Sequence, residues 1–248
     1  MLKKLAILLL TVPTLAGAAG GGYPLDHADV DVGNQASLQR GAQLFVNYCM
    51  ACHSAKFQRY NRLARDAGLS KEQVEANLIL TADTKVGDTM QNAMPAEDSE
   101  NWFGRAPPDL SLIARSKGAD YVYTYLRTFY LDEERPLGVN NAVLANAGMP
   151  HVLWELQGWQ KPVYGGHGHG EQGDHTITGF EIVEPGSMTE AQFDSAMRDL
   201  VNFLAYVSEP AQLQRKRVGI WVLLFIAFAG VVFYFLKKEY WKDVYSKT

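Results

Sequence analysis

From Val218 to Leu236 the chain carries no charge and no Asn, Gln or His. These 19 residues make about 28 Å of helix at 1.5 Å per residue, close to the thickness of bilayer hydrocarbon. Arg215-Lys216-Arg217 and Lys237-Lys238 flank the run. Trp221 lies near its start, and Tyr234, Tyr240 and Trp241 lie near or beyond its end, as interfacial aromatics do. A buried core helix is the ordinary alternative, but a short basic-aromatic tail disfavours it. The N-terminus differs in kind. Met1-Leu2-Lys3-Lys4, an apolar stretch from Leu5 to Leu15 and Ala16-Gly17-Ala18 make up a secretory signal. The expected organisation is a signal peptide over 1–18, an exported domain over 19–214, an anchor over 215–237 and a cytoplasmic tail over 238–248. In a Gram-negative cell the exported part lies in the periplasm, on a single pass through the inner membrane.

Charge changes meaning on that partition. The whole chain is −4, with no sign of a nucleic-acid partner. Residues 19–214 alone hold 14 basic and 25 acidic residues, a formal charge of −11. Such acidity favours solubility and steers basic partners.

Both cysteines fall in Cys49-Met50-Ala51-Cys52-His53. A C-x-x-C pair alone fits a redox dithiol, half a zinc site or a disulfide. A His directly after it in an exported chain selects c-type haem attachment. Two thiols add across two vinyl groups, and the adjacent imidazole reaches the iron as proximal ligand. A zinc site needs further ligands, and no other cysteine exists. The flank reads as a helix: Leu38, Ala42, Phe45 and Val46 recur at three-to-four spacing, with Ser37 as its expected N-cap and Cys52 near its end. Gly41 and Phe45 share a face, and the pattern Gly41-x-x-x-Phe45-x-x-x-Cys49 resembles the N-terminal helix of class I cytochromes c; the resemblance implies a crossing with an amphipathic helix over 189–207.

The sixth ligand is sought among Met50, Met90, Met94, Met149, Met188 and Met197 and five histidines. Met50 sits inside the motif and cannot reach the opposite face, while Met188 and Met197 read as packing residues. Met94 and Met149 precede proline, which holds a residue extended. Met149, in the turn-rich Asn146-Ala147-Gly148-Met149-Pro150, is preferred, with His151 two residues away as the competitor.

Further motifs accompany these: Pro107-Pro108-Asp109-Leu110-Ser111, Asp120-Tyr121-Val122 opening a helix, Asn140 onward to Pro150, Asp199-Leu200-Val201-Asn202-Phe203-Leu204, and Glu209-Pro210. Together with Cys49–His53 and the anchor, they closely resemble the cytochrome c1 subunit of the cytochrome bc1 complex, ubiquinol–cytochrome c reductase. The resemblance covers nearly the whole mature chain. It implies a mostly α, class I-like cytochrome c haem domain with long inserted loops plus one C-terminal transmembrane helix. It implies one covalent haem c tethered by Cys49 and Cys52, with His53 and Met149 as the metal ligands. Pro107 and Pro108 would pack beside the haem, and Arg105 would sit near its propionates. The implied function is one-electron transfer from the Rieske iron–sulfur protein to a soluble or anchored cytochrome c, next to cytochrome b, in a dimeric complex. This chain departs from the family's pattern in having Pro150-His151 after the ligand Met and no additional cysteine pair.

Three surface features remain. Gly165 to His175 is rich in Gly and His and reads as a hairpin tip, with an adventitious metal site as the alternative. The acids Glu97, Asp98 and Glu100, and the run Asp132-Glu133-Glu134, are acidic clusters. At least one is expected to help recruit a basic acceptor. No nucleophile or acid–base constellation suggests independent catalysis. Two other readings compete: an anchored cytochrome serving a terminal oxidase, and a haem-based sensor with an open sixth site.

Overall fold

The computed structural model describes residues 22–165 and 176–242. The expected export signal and most of the Gly/His-rich loop lie outside the described residues. In chain order the elements are α1 (Gln35–Leu44), β1 (Ala55–Arg59), α2 (Tyr60–Ala67), α3 (Lys71–Asn77), β2 (Thr89–Met90), α4 (Ala96–Phe103), α5 (Ile113–Ser116) and α6 (Ala119–Arg127). They continue with β3 (Phe129–Leu131), β4 (Val139–Asn141), α7 (Trp154–Gln157), β5 (Gly158–Tyr164), β6 (Ile177–Pro185), α8 (Glu190–Ser208) and α9 (Gln212–Tyr240). Helices make up about half of the described residues. The strands form three antiparallel pairs, β1–β2, β3–β4 and β5–β6.

The first helix is capped three residues before the expected position, by Asn34. The Asn34 side chain accepts from the Ser37 N–H, satisfying an orphan donor of the first turn. Ser37 is instead buried, and its Oγ accepts from Asn202 Nδ2 at 3.0 Å. α1 then widens into one π turn over Phe45–Cys49. Such a turn adds a residue to the ring and occurs often at functional sites. It closes with Met50 N–H on the Phe45 carbonyl, and His53 N–H bonds Cys49 O at 2.8 Å.

α8 is the expected partner helix. Thr189 and Gln192 form a reciprocal capping box at its start. Its Phe193, Met197, Leu200, Phe203, Leu204 and Val207 are all buried. α1 crosses it at Gly41, where a Cβ would meet the Asp199 carbonyl and lie 2.8 Å from Phe203 Cβ. Only glycine lets the two backbones touch there. One turn on, Phe45 tilts against Phe203 with centroids 5.4 Å apart. Beside the contact, Arg40 holds Asp199 through two bonds, NH2 to Oδ1 at 2.9 Å and Nε to Oδ2 at 2.5 Å.

A second clamp holds the N-terminal strap. Arg127, at the end of α6, pairs with Asp26 at 2.6 Å and with Asp194 of α8 at 2.7 Å. Asp120 accepts from the Ala28 N–H at 2.8 Å. α9 is 29 residues long and unburied, long and apolar enough to cross a membrane. It contains the whole uncharged run, and leaves the domain just after Glu209-Pro210.

Candidate functional site: the Cys49–His53 turn and its two straps

The Cys49–His53 turn is held from two sides. Asn92, next to β2, donates from Nδ2 to the Cys52 carbonyl at 2.5 Å, and its N–H bonds Ser54 Oγ at 3.0 Å. On the other side each residue of Pro108–Ser111 gives one polar group a partner in residues 53–57. His53 Nδ1 meets the Pro108 carbonyl at 2.7 Å. Leu110 N–H donates to Ser54 O at 2.8 Å. Asp109 Oδ2 accepts from Lys56 N–H at 3.0 Å, while its Oδ1 accepts from Ser111 N–H at 2.9 Å. Ser111 Oγ, fully buried, accepts from Phe57 N–H at 3.1 Å. The Pro-Pro-Asp-Leu-Ser motif is thus a backbone zipper onto the haem-motif flank.

The zipper sets the tautomer of His53. A carbonyl only accepts, so the proton sits on Nδ1 and the Nε2 lone pair is left free. Nε2 has no hydrogen-bond partner among the described residues. This is the arrangement in which the second ring nitrogen of a metal-ligating histidine is oriented by a carbonyl. Burial holds the imidazole below the usual histidine range, against the opposing pull of the Pro108 carbonyl and the Asp109 charge. Burial also pushes the Cys49 thiol up to about 12, with Cys52 adding to the effect. Redox-active dithiols have lowered values, so the dithiol reading finds no support here.

Met149 belongs to a second cluster. It packs, half-buried, against Phe129, Val139 and Ala147, with Leu131, Trp159 and Tyr125 around them. Tyr125 also packs on the main core and so joins the two. The loop before Met149 is organised by two buried asparagines at the end of β4. Asn140 Oδ1 accepts from the N–H groups of Asn141 and Asn146. Asn141 Oδ1 accepts from those of Val143 and Leu144, and its Nδ2 donates to Tyr125 O at 2.8 Å. Asn146 takes a left-handed φ of 62°, which asparagine tolerates better than most residues. His151 lies inside an aromatic stack, 5.3 Å from Phe129 and nearly parallel to it. Its Nε2 reaches Gly158 O at 3.3 Å, and burial lowers it to about 4. The competitor for the sixth position is therefore a neutral residue engaged in core packing.

Among the residues expected at the site, His53 and Pro108 come together on the zipper, and Pro107 precedes it in the chain. Met149 lies in the cluster bridged through Tyr125. Arg105 is exposed and has no polar partner among the described residues. Met94 is half-buried, and Met90 is fully buried in the core. Sequence reading passed over Asn92 and Arg127. Neither belongs to a local motif, and their partners lie 40 and up to 101 residues away. Asn140 stood only at the edge of a motif, and its role is visible once the loop closes.

A C-x-x-C-H turn with an oriented imidazole, on a domain that continues into a membrane-length helix, defines a membrane-anchored c-type cytochrome. The sequence model of the Cytochrome C1 family matches residues 29–244. Cytochrome c1 of Allochromatium vinosum is 49% identical over 97% of this chain and 98% of its own length. A Nitrosomonas europaea protein described as an ammonia monooxygenase gamma subunit is 44% identical over 99% of each chain. Cytochrome c1 of Rhodospirillum rubrum is 26% identical over 85% of this chain and 83% of its own. The chain belongs to the cytochrome c1 family. It is a membrane-anchored electron-transfer subunit of the cytochrome bc1 complex, a redox subunit of ubiquinol–cytochrome c reductase, and carries covalently bound haem c. The comparisons favour neither the oxidase-linked cytochrome nor the sensor. The residues present fit the group: two unbridged thiols one helical turn apart, followed by an imidazole whose Nε2 is free.

Proposed function

We propose that Cys49 and Cys52 tether the haem and that His53 and Met149 ligate its iron, with Arg105 serving the propionates and Pro107 and Pro108 lining the proximal side. The orientation of His53 by the Pro108 carbonyl is the observation that carries this reading. When bound, the haem supplies reversible one-electron chemistry at the iron. The protein's own residues do the rest. Pro108 O fixes the imidazole and raises its basicity, and Asn92 and Asp109 keep the turn from shifting between oxidation states. The thioether of Met149, held in its apolar cluster, would serve as the second protein ligand and would favour the reduced state.

The electron comes from a Rieske iron–sulfur protein and goes to a soluble or anchored cytochrome c. Quinol chemistry belongs to the neighbouring cytochrome b, and the complex is a dimer. A relative named cytochrome b/c1 supports the pairing with cytochrome b. Residues 1–18 direct export and are removed, 19–214 form the periplasmic domain, 215–237 cross the inner membrane and 238–248 end in the cytoplasm. The charge of −11 on the exported part supports a basic acceptor.

The test is the absorption spectrum of the full chain, matured with haem and held in detergent. Sharp reduced bands, a weak red band in the oxidised form and inertness to carbon monoxide are expected. Met149→Leu removes the red band and admits carbon monoxide. A red band that survives this change would show that another residue is the sixth ligand.

A further inference from the structure

We propose that the cleft between α7 and the end of β6 receives a lysine or arginine side chain of the electron-accepting cytochrome. The proposal rests on the acceptor reading above and gives it a place on the surface. The cleft holds about 210 Å³ and is lined by Trp154, Glu155, Gly158, Trp159, Glu184 and Ser187, among others.

Its walls are of two kinds. Trp154 stacks on Trp159 with centroids 5.6 Å apart and planes 12° from parallel. Trp154 stays 44% exposed, which leaves an indole face open to a partner. Glu155 and Glu184 are exposed beside it, and neither has an ion pair among the described residues. Indole faces attract cations, guanidinium most readily, and carboxylates bond the same groups. An anion meets two carboxylates here, and an uncharged apolar group strands them. The cleft selects a cationic side chain.

The site is also built in advance. Gly158 has a φ of 94°, and a Cβ there would strike the Glu184 carbonyl. Ser187 N–H and Oγ both donate to the Glu155 carbonyl at 2.8 Å, and Met188 N–H donates to Leu156 O at 3.1 Å. The two segments that carry the carboxylates are therefore pinned to each other before any partner arrives. Preorganisation of this kind lowers the ordering cost of binding.

Position favours this cleft over the acids of α4; the run Asp132-Glu133-Glu134 also adjoins the Met149 cluster, through Leu131, but does not line this indole-walled cleft. Trp159 packs against the cluster that contains Met149 and stands edge-on to His151 at 5.6 Å. A partner seated on Trp154 is thus separated from the Met149 cluster by one indole. Electron transfer needs such close approach, whereas a contact serving assembly alone does not. The cleft does no chemistry itself; it holds the acceptor in place.

The experiment uses the purified complex containing the full chain, with quinol as donor and a lysine-rich cytochrome c as acceptor. The variants are Trp154→Ala and the pair Glu155→Gln with Glu184→Gln. Glu72→Gln with Glu75→Gln removes the same charge elsewhere and serves as control. Each cleft variant should raise KM for the acceptor by about three- to tenfold, the scale of one lost cation–π or charge contact. Its kcat and haem spectrum should stay as in the wild type, and the glutamine pair should also flatten the salt dependence. The glutamine pair is isosteric and exposed, so the test stands even if Trp154→Ala misfolds. An unchanged KM, or one matched by the control, overturns the proposal. So does loss of other subunits from the variants, which assigns the cleft to assembly. A wild-type complex that reduces no cytochrome c refutes the acceptor reading itself, a result distinct from either.

Discussion

Asp109→Ala tests the zipper that orients His53. The carboxylate accepts two backbone N–H bonds, from Lys56 at 3.0 Å and from Ser111 at 2.9 Å. Only the first crosses between the two segments. A hydrogen bond to a charged group contributes about 1.5–3 kcal/mol, and Lys56 is exposed, so the lower end applies to it. With both bonds taken near the lower end, the loss should come to about 3–4 kcal/mol. For a domain of this size each kcal/mol moves Tm by about 2–4 °C. Melting of the haem-loaded chain, followed at its main visible band in detergent, should therefore begin about 5–15 °C lower. Asp109→Asn keeps one acceptor oxygen and should lose about half as much. Because Pro108 is the preceding residue, the Ala variant should also weaken the bond to His53 and alter the spectrum at neutral pH. A Tm within 2 °C of wild type, or an Asn variant as damaged as the Ala variant, would refute the argument.

Gly41→Ala should cost about 1–3 kcal/mol or more, the range for overpacking, because its Cβ lies 2.8 Å from Phe203 Cβ and closer still to Asp199 O; unfolding in guanidinium chloride measures it, and an unchanged midpoint would show that the helices separate freely. Asn92→Ala should destabilise by about 1 kcal/mol per lost bond, read in the same titration. Asp120 gives a pH signature. Burial raises its carboxyl, but the Ala28 N–H and His27 outweigh this and hold it below the ordinary range. A depressed folded value contributes stability above the unfolded value of about 3.9 and loses it as pH falls through the folded one. Acid melting curves of wild type should therefore drop below about pH 4, and Asp120→Asn should drop less over that window. The rate of acceptor reduction should fall with ionic strength; a flat salt profile in stopped-flow measurements would remove electrostatic steering.

What could be read along the chain was whatever is local or covalent. The Cys49–His53 chemistry needs five adjacent residues, the membrane helix needs only an unbroken apolar run, and α8 announces itself through one apolar stripe. Where a local signal competed with a tertiary one, reading was less sure. Ser37 is as good a cap by type as Asn34, but it is used as a buried acceptor for Asn202, 165 residues away. The π turn before Cys49 leaves no mark in residue type, because it answers how α1 must arrive at the motif after crossing α8.

The attachment motif and its neighbouring imidazole were thus determined by the sequence alone, since neighbours in the chain are neighbours in space in any fold. Which nitrogen of His53 is free was decided only by tertiary structure. That depends on a carbonyl 55 residues away, and only a folded strap brings it within 2.7 Å. The same holds for Met149, whose surroundings come from β3, β4 and β5, and for the Trp154–Trp159 cleft. There the carboxylates of Glu155 and Glu184 meet because β6 returns antiparallel to β5, pairing Trp159 with Glu184.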